Sequence, residues 1–259
     1  MITRPVKPII LKGNEYGVLL LHGFTGTPQC LESFAEAFHK AKYTVSAPMI
    51  EGHATHHTHL EKTKWEDWYG SAELALQELC EQCEKVFVLG LSMGGLLTLH
   101  LASLYPQAVS AIALLATPAY LDGFLIRQLF PVIWKTPLRF IYRYQTKYRA
   151  AINDPQMKRK YQTYDKIPVR SVAELLEFQS IVRQELRHIR QPTFIAHALA
   201  DTTVPYGNLD YLRATLGSRD IQTMTLKASN HIITMDYERD KLFKTVKKFF
   251  DAQKKRKFY

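Results

Sequence analysis

Cysteine is scarce in this chain: Cys30, Cys80 and Cys83 are the only three among 259 residues. That excludes a disulfide framework. The single C-x-x-C, Cys80 to Cys83, falls in a helical pattern, with neither a second pair for zinc nor the context of a redox motif. Long apolar runs are missing too. Without a stretch of 18 apolar residues, no membrane-spanning helix is expected. The first eleven residues carry Arg4, Pro5, Lys7 and Pro8 instead of the unbroken apolar core of a secretory signal. A cytoplasmic protein is the resulting expectation. Internal repeats and low-complexity segments are also lacking, which removes solenoids and arrays.

Acidic residues are the remaining shortage, with 24 Asp and Glu against 34 Lys and Arg, for a formal net charge of +10. The imbalance is local. Residues 119–170 hold eleven Lys or Arg and three Asp, and Lys254-Lys255-Arg256-Lys257 forms a second cluster. No nucleic-acid recognition motif accompanies the charge, so no nucleic-acid partner is expected. Aromatic and basic residues interleave in Phe140-Ile141-Tyr142-Arg143-Tyr144, a composition that suits an anionic membrane or micelle surface. A solvated basic face is the plainer alternative.

What is present points to one α/β domain, since 46% hydrophobic content over this length can bury a large core. Lys85 to Tyr105 organises the rest. The β-forming run Val86–Leu89 meets Gly90-Leu91-Ser92-Met93-Gly94-Gly95, and a helix-forming stretch, Leu96–Tyr105, follows at once. A serine at so sharp a strand-to-helix corner is held in a strained backbone conformation, and glycines two positions before and after it let other segments approach. The hydroxyl then projects from the sheet end at a helix N-terminus, where developing negative charge is favoured. Ser92 is thus the candidate nucleophile. A glycine-rich turn with an incidental serine is the bland alternative.

Along the chain, Pro8–Leu11 reads as an edge strand and Gly17–Leu21 as a buried one. Thr27 is the expected cap and Pro28 the first residue of a helix reaching Ala41. The glycine-bearing turn His22-Gly23-Phe24 is placed to aim the Phe24 N–H into the crevice at the strand ends. Tyr43–Ala47 is a further strand, and Lys64–Cys83 an amphipathic helix whose Trp65 and Trp68 read as packing residues. His53, His56, His57 and His59 invite a metal-site reading, but no acidic or thiol partner is obviously placed with them. Val109–Ala116 is the next buried strand. Its successor, Thr193–Ala198, arrives more than 70 residues later, so something is inserted between them.

The turn HGFTGTP after a strand, the later GLSMGG, and an acid and a histidine in that order resemble the α/β-hydrolase superfamily, and within it bacterial carboxylesterases and monoacylglycerol lipases. The resemblance implies a mostly parallel doubly wound sheet with a helical cap inserted between late strands, and no cofactor or metal. It divides the chain into a core of 1–118 and 186–259 and a cap of 119–185, weakest in likeness across the cap. The family's oxyanion donors fall on the backbone N–H groups of Phe24 and Met93. One departure is Gly52-His53-Ala54, where the family often has G-H-G. Within the cap, several short helices broken by Pro131, Pro137, Pro155 and Pro168 are expected. Phe124-Leu125-Ile126 and Leu129–Trp134 are apolar enough to wall an acyl pocket.

The acid and base follow from element order. Asp201 comes just past the strand Thr193–Ala198, and His231 sits in the loop after the strand Ile221–Leu226, with a helix, Tyr206–Leu216, between. One helix and one strand of separation bring both loops to the sheet edge that carries Ser92, in the order Ser, Asp, His. Asp236, read as a start of the final helix (Asp236–Phe250), and Asp210, inside a helix, are poorer acids. His197 is a poorer base and reads as support for the acid loop. The tail from Gln253 to Tyr259 reads as mobile. The expected chemistry is hydrolysis of a carboxylic ester by two-step acyl transfer, on monoacylglycerol or other medium- or long-chain esters. A short-chain carboxylesterase is the second reading and a ligand-binding module on the same fold the third.

Overall fold

The apolar runs at 86–91 and 109–115 are buried at every residue, as strands covered by helices on both faces must be. In the computed structural model, which describes residues 2, 5–121, 136, 143–146 and 150–256, they lie at the centre of a seven-stranded sheet. Its spatial order is β1 (Ile9–Leu11), β3 (Thr44–Ala47), β2 (Tyr16–Leu21), β4 (Lys85–Leu91), β5 (Val109–Leu115), β8 (Thr193–Ala198) and β9 (Ile221–Leu226). All neighbours are parallel except β1, which runs antiparallel to β3 at the edge. This is the α/β-hydrolase arrangement. A two-stranded antiparallel ribbon, β6 (Tyr144–Thr146) with β7 (Lys166–Pro168), lies between β5 and β8 in the chain.

Helices cover both faces. One core joins Trp68, Leu76 and Leu79 of helix Trp65–Cys80 to Leu97 and Leu101 of helix Met93–Leu104, with Phe178 and Val182 of helix Val169–Glu185. The other packs Phe34 and Phe38 of helix Glu32–Lys40 against Phe249 and Phe250 of helix Arg239–Gln253. Trp65 stacks on Phe178 at 5.2 Å, so both tryptophans serve packing, as expected.

Three expectations need correction. Thr27 is not a side-chain cap: Pro28–Leu31 winds as a 3₁₀ turn before the α-helix, and the Thr27 side chain is buried without a cap bond. The tighter turn suits a helix entered through a proline. Residues 143–185 are not all short helices. They contain the ribbon, a six-residue helix Pro155–Lys160 and the 17-residue helix Val169–Glu185, because Pro155 and Pro168 stand at helix starts, where proline is tolerated, instead of interrupting a helix. The tail is also held as far as Arg256. Lys85 Nζ donates to the carbonyls of Gln253, Lys254 and Arg256 at 3.2, 2.7 and 2.6 Å, gathering the open end of the last helix. Phe124–Ile126, Leu129–Trp134 and Phe140–Tyr142 lie outside the described residues, so the proposed acyl wall does too.

Candidate active site

Each candidate side chain follows the carboxyl end of a parallel strand: His22 after β2, Ser92 after β4, Asp201 after β8 and His231 after β9. In open α/β sheets that edge is where ligands bind. Ser92 has φ 55° and ψ −120°, a sparsely populated conformation for a residue with a Cβ. Its N–H donates to Leu115 O at 2.8 Å, and the helix Met93–Leu104 begins at the next residue. The corner is tight because two glycines permit it. A Cβ on Gly90 would lie 2.0 Å from Gly94 O, and one on Gly94 would lie 2.0 Å from Leu21 O.

The three side chains are in contact. His231 Nε2 is 3.0 Å from Ser92 Oγ, and His231 Nδ1 is 2.8 Å from Asp201 Oδ2. The Asp201 side chain is wholly buried. Its Oδ1 accepts from the N–H groups of Thr203 and Val204 at 2.8 and 2.9 Å, and its Oδ2 also faces His197 Nε2 at 3.2 Å. Burial raises this carboxyl, but the hydrogen bonds from His197 and His231 outweigh it and hold the group well below the usual carboxylate range. A carboxylate fixed in this way keeps the proton of His231 on Nδ1 and leaves Nε2 to accept from Ser92.

His197 supports the acid loop: its Nε2 also reaches Val204 O at 3.1 Å, and its Nδ1 has no partner among the described residues. The proton therefore sits on Nε2, shared between Val204 O and Asp201. Asp236 stands three residues before helix Arg239–Gln253 and takes no part in the Ser92–His231 contact; its oxygens accept backbone N–H groups. Asn230 was not singled out by the sequence. Its Oδ1 accepts from Thr202 N and Oγ1, both at 3.1 Å, and from His231 N at 2.8 Å, joining the acid loop to the base loop.

Met93 is the first residue of its helix, so its N–H has no acceptor within the helix. The turn carrying Phe24 is pressed against Ser92: a Cβ on Gly23 would lie 3.1 Å from Ser92 Cβ. The Phe24 ring packs on His53 and Trp68 at 5.9 and 5.6 Å, which fixes the turn from behind. His53 is therefore part of this aromatic packing. The other histidines lie apart from it: His56 bonds Thr58, His59 bonds Thr55, and His57 is 3.8 Å from Asp165. Among the described residues no group of three or more His, Cys, Asp or Glu side chains is placed to hold a metal ion. Burial pushes the Cys80 and Cys83 thiols up, away from the reactive thiolate.

His22 ties this turn to the next loop. Its Nδ1 is 3.0 Å from Gly23 O, while Ile50 N donates to its Nε2 at 3.3 Å, a pattern that requires the neutral ring with the proton on Nδ1. Full burial lowers its pKa from 6.5 to about 4, against the smaller opposing effect of the Gly23 carbonyl. Between those values the unfolded chain holds the extra proton, so stability rises with pH across that window and is lost as pH falls from 6.5 toward 4. Roughly 2–3 kcal/mol should be gone by pH 4.5. Urea midpoints of wild type and His22→Asn at pH 7 and 4.5 check this, with a clearly smaller loss in the variant expected.

A family model, Serine aminopeptidase, S33 (Hydrolase_4), matches residues 14–238. The chain belongs to this family. Within it, the chain is 32% identical over 247 residues to a thermostable monoacylglycerol lipase of Bacillus sp. (strain H-257), covering 94% of each. It is 27% identical over 246 residues to a carboxylesterase of Bacillus subtilis (strain 168), covering 95% of this chain and 96% of that one. Among solved structures, a metagenome-derived lipolytic enzyme from work on LipS and LipT superposes with a TM-score of 0.88 at 25% identity, over 96% of this chain and 98% of that one. A monoacylglycerol lipase of Paleococcus ferrophilus shares the fold, with a TM-score of 0.79 at 17% identity over 95% of this chain and 98% of that one.

Proposed function

We propose that this S33-family hydrolase cleaves carboxylic esters, with monoacylglycerols or other medium- and long-chain lipid-like esters as its substrates. The observation that carries the reading is the hydrogen-bonded chain Ser92–His231–Asp201 on a strained strand-to-helix corner. Ser92 Oγ attacks the ester carbonyl while His231 Nε2 takes its proton, and Asp201 orients the ring and stabilises the imidazolium. The N–H groups of Phe24 and Met93 hold the oxyanion. His231 then gives the proton to the departing alcohol. Water, deprotonated by the same nitrogen, attacks the acyl-enzyme, and the acid leaves as Ser92 recovers its proton. No metal or cofactor enters these steps.

Residues 119–185 act as a cap over the core formed by 1–118 and 186–259. Lys158, Arg159, Lys160 and Lys166 are exposed on this segment, which supports contact with an anionic membrane or micelle surface. Among the described residues no helix is long and apolar enough to cross a membrane. The scarcity of cysteine, three residues in 259, supports a cytoplasmic setting.

Hydrolysis of p-nitrophenyl esters from acetate to palmitate, alongside 1-monoacylglycerols, tests the reading. A kcat/KM that peaks at medium or long chains with ready monoacylglycerol turnover is expected, since each buried methylene contributes about 0.8 kcal/mol. Activity confined to short chains would replace the lipid reading with that of a short-chain carboxylesterase; the Bacillus subtilis relative is named a carboxylesterase.

A further inference from the structure

Asp236 is a buried carboxylate with four partners, all of them backbone N–H groups. Its Oδ2 accepts from Asn153 N and Asn230 N, both at 2.8 Å, and its Oδ1 from Asp154 N and Tyr237 N, both at 2.9 Å. Every lone-pair position of the group is thereby used. The donors come from three places: the base loop, the start of the last helical region, and a strip at 153–154 that lies between β5 and β8 in the chain. Three further bonds join the same strip to the base loop. Ile232 N donates to Ala151 O at 3.1 Å, Asn153 Nδ2 to Ala228 O at 3.0 Å, and Asn230 Nδ2 to Asn153 Oδ1 at 3.3 Å. On its other side Asn230 grips Thr202, the neighbour of Asp201.

We infer that Asp236 is a positioning residue for the reaction: it locks the base loop to the 151–154 strip and, through Asn230, sets the His231 ring between Asp201 and Ser92. The inference rests on reading those three residues as the reacting set. The strip belongs to the segment proposed as the cap, so the seating of that segment governs the alignment of the base. A misplacement of about 1 Å in a reacting group costs on the order of 10²-fold in rate, and the bond lengths here leave little room for such a shift.

Asp236→Asn is nearly isosteric but exchanges one oxygen for an NH₂ group. Whichever way the amide turns, either Asn153 and Asn230 or Asp154 and Tyr237 lose their acceptor and face a donor instead. The test is ester turnover per active site, with sites counted by titration with a fluorophosphonate so that unfolded protein does not enter. The expected result is a kcat per titrated site lower by about 10–100-fold with KM within about twofold. Amide exchange, measured on peptides spanning 199–204 and 228–232, should be faster in the variant. Asn153→Ala removes two of the side-chain bonds of an exposed residue while keeping the backbone bond to Asp236. It should lower kcat per site by about 3–10-fold, and it decides alone if Asp236→Asn does not fold. A kcat per titrated site within about twofold of wild type in the deciding variant overturns the inference. Unaltered exchange in the two loops does so as well, and that readout holds even if wild type hydrolyses no ester and the reading of the reacting set fails.

Discussion

Replacing Ser92 with alanine is expected to abolish ester turnover, by roughly four to six orders of magnitude in kcat, and to leave the fold and its stability almost unchanged. Both halves follow from the same corner. The hydroxyl lies 3.0 Å from His231 Nε2, the nitrogen that takes its proton as it attacks a carbonyl in the proposed reaction. Without it the remaining help is oxyanion binding and orientation, which supports only slow attack by water. The backbone is another matter. At φ 55° and ψ −120° the strain belongs to any residue bearing a Cβ, so alanine keeps it and glycine relieves it. Ser92→Gly should therefore be as inactive as Ser92→Ala yet more stable than wild type by about 1 kcal/mol or more. Initial rates on a p-nitrophenyl ester, with urea unfolding of all three proteins, measure both halves. A Ser92→Ala enzyme with near wild-type turnover would end the catalytic reading. A Ser92→Gly protein no more stable than wild type would remove strain from the account of the corner.

The parts of this site that were readable in the sequence are those whose chemistry is local. Ser92 announces itself through Gly90 and Gly94 because the steric demand of the corner acts within five residues. Asp201 and His231 follow from element order, since a residue just past a parallel strand must reach the same sheet edge. Asn230 and Asp236 had no such signal. Asn230 looks like one more loop amide and Asp236 like a helix-start acid, and their partners lie some 80 residues away: Asp236 accepts from the N–H groups of Asn153 and Asp154, and Asn230 Nδ2 donates to Asn153 Oδ1. The ribbon of β6 and β7 was hidden for a related reason. Three-residue strands are too short to show an alternating pattern, and the Pro168 that ends β7 reads as a breaker until its edge position is known. Lys85 likewise gave no hint that its ammonium would gather carbonyls of the last helix, about 170 residues on.

Gly94→Ala should be strongly damaging and Gly70→Ala stabilising, although both lie in helices and both add a single methyl group. A Cβ at Gly94 would lie 2.0 Å from Leu21 O and 2.8 Å from His22 O. Those are backbone atoms of β2 and of the turn that carries Phe24, so no side chain can rotate away. The helix must retreat from the strand, which moves Met93 and Phe24 relative to one another and strains the bond from Ser92 N to Leu115 O. A loss of about 3 kcal/mol or more is expected, together with impaired turnover of whatever fraction folds. At Gly95 the three nearest atoms, 1.9, 2.7 and 2.8 Å away, all belong to the Thr117 side chain and none to backbone, so Gly95→Ala should cost less than Gly94→Ala. Gly70 has nothing within 4 Å of its added Cβ, and alanine there should stabilise helix Trp65–Cys80 by about 0.5–1 kcal/mol. Urea midpoints of the three variants give the ranking. If Gly94→Ala unfolds at the same concentration as wild type, the close approach of the helix to β2 is not what holds the corner. The proposed oxyanion donors Phe24 and Met93 would then need another source of alignment, for which the rings of His53 and Trp68 behind Phe24 are the next structure to remove.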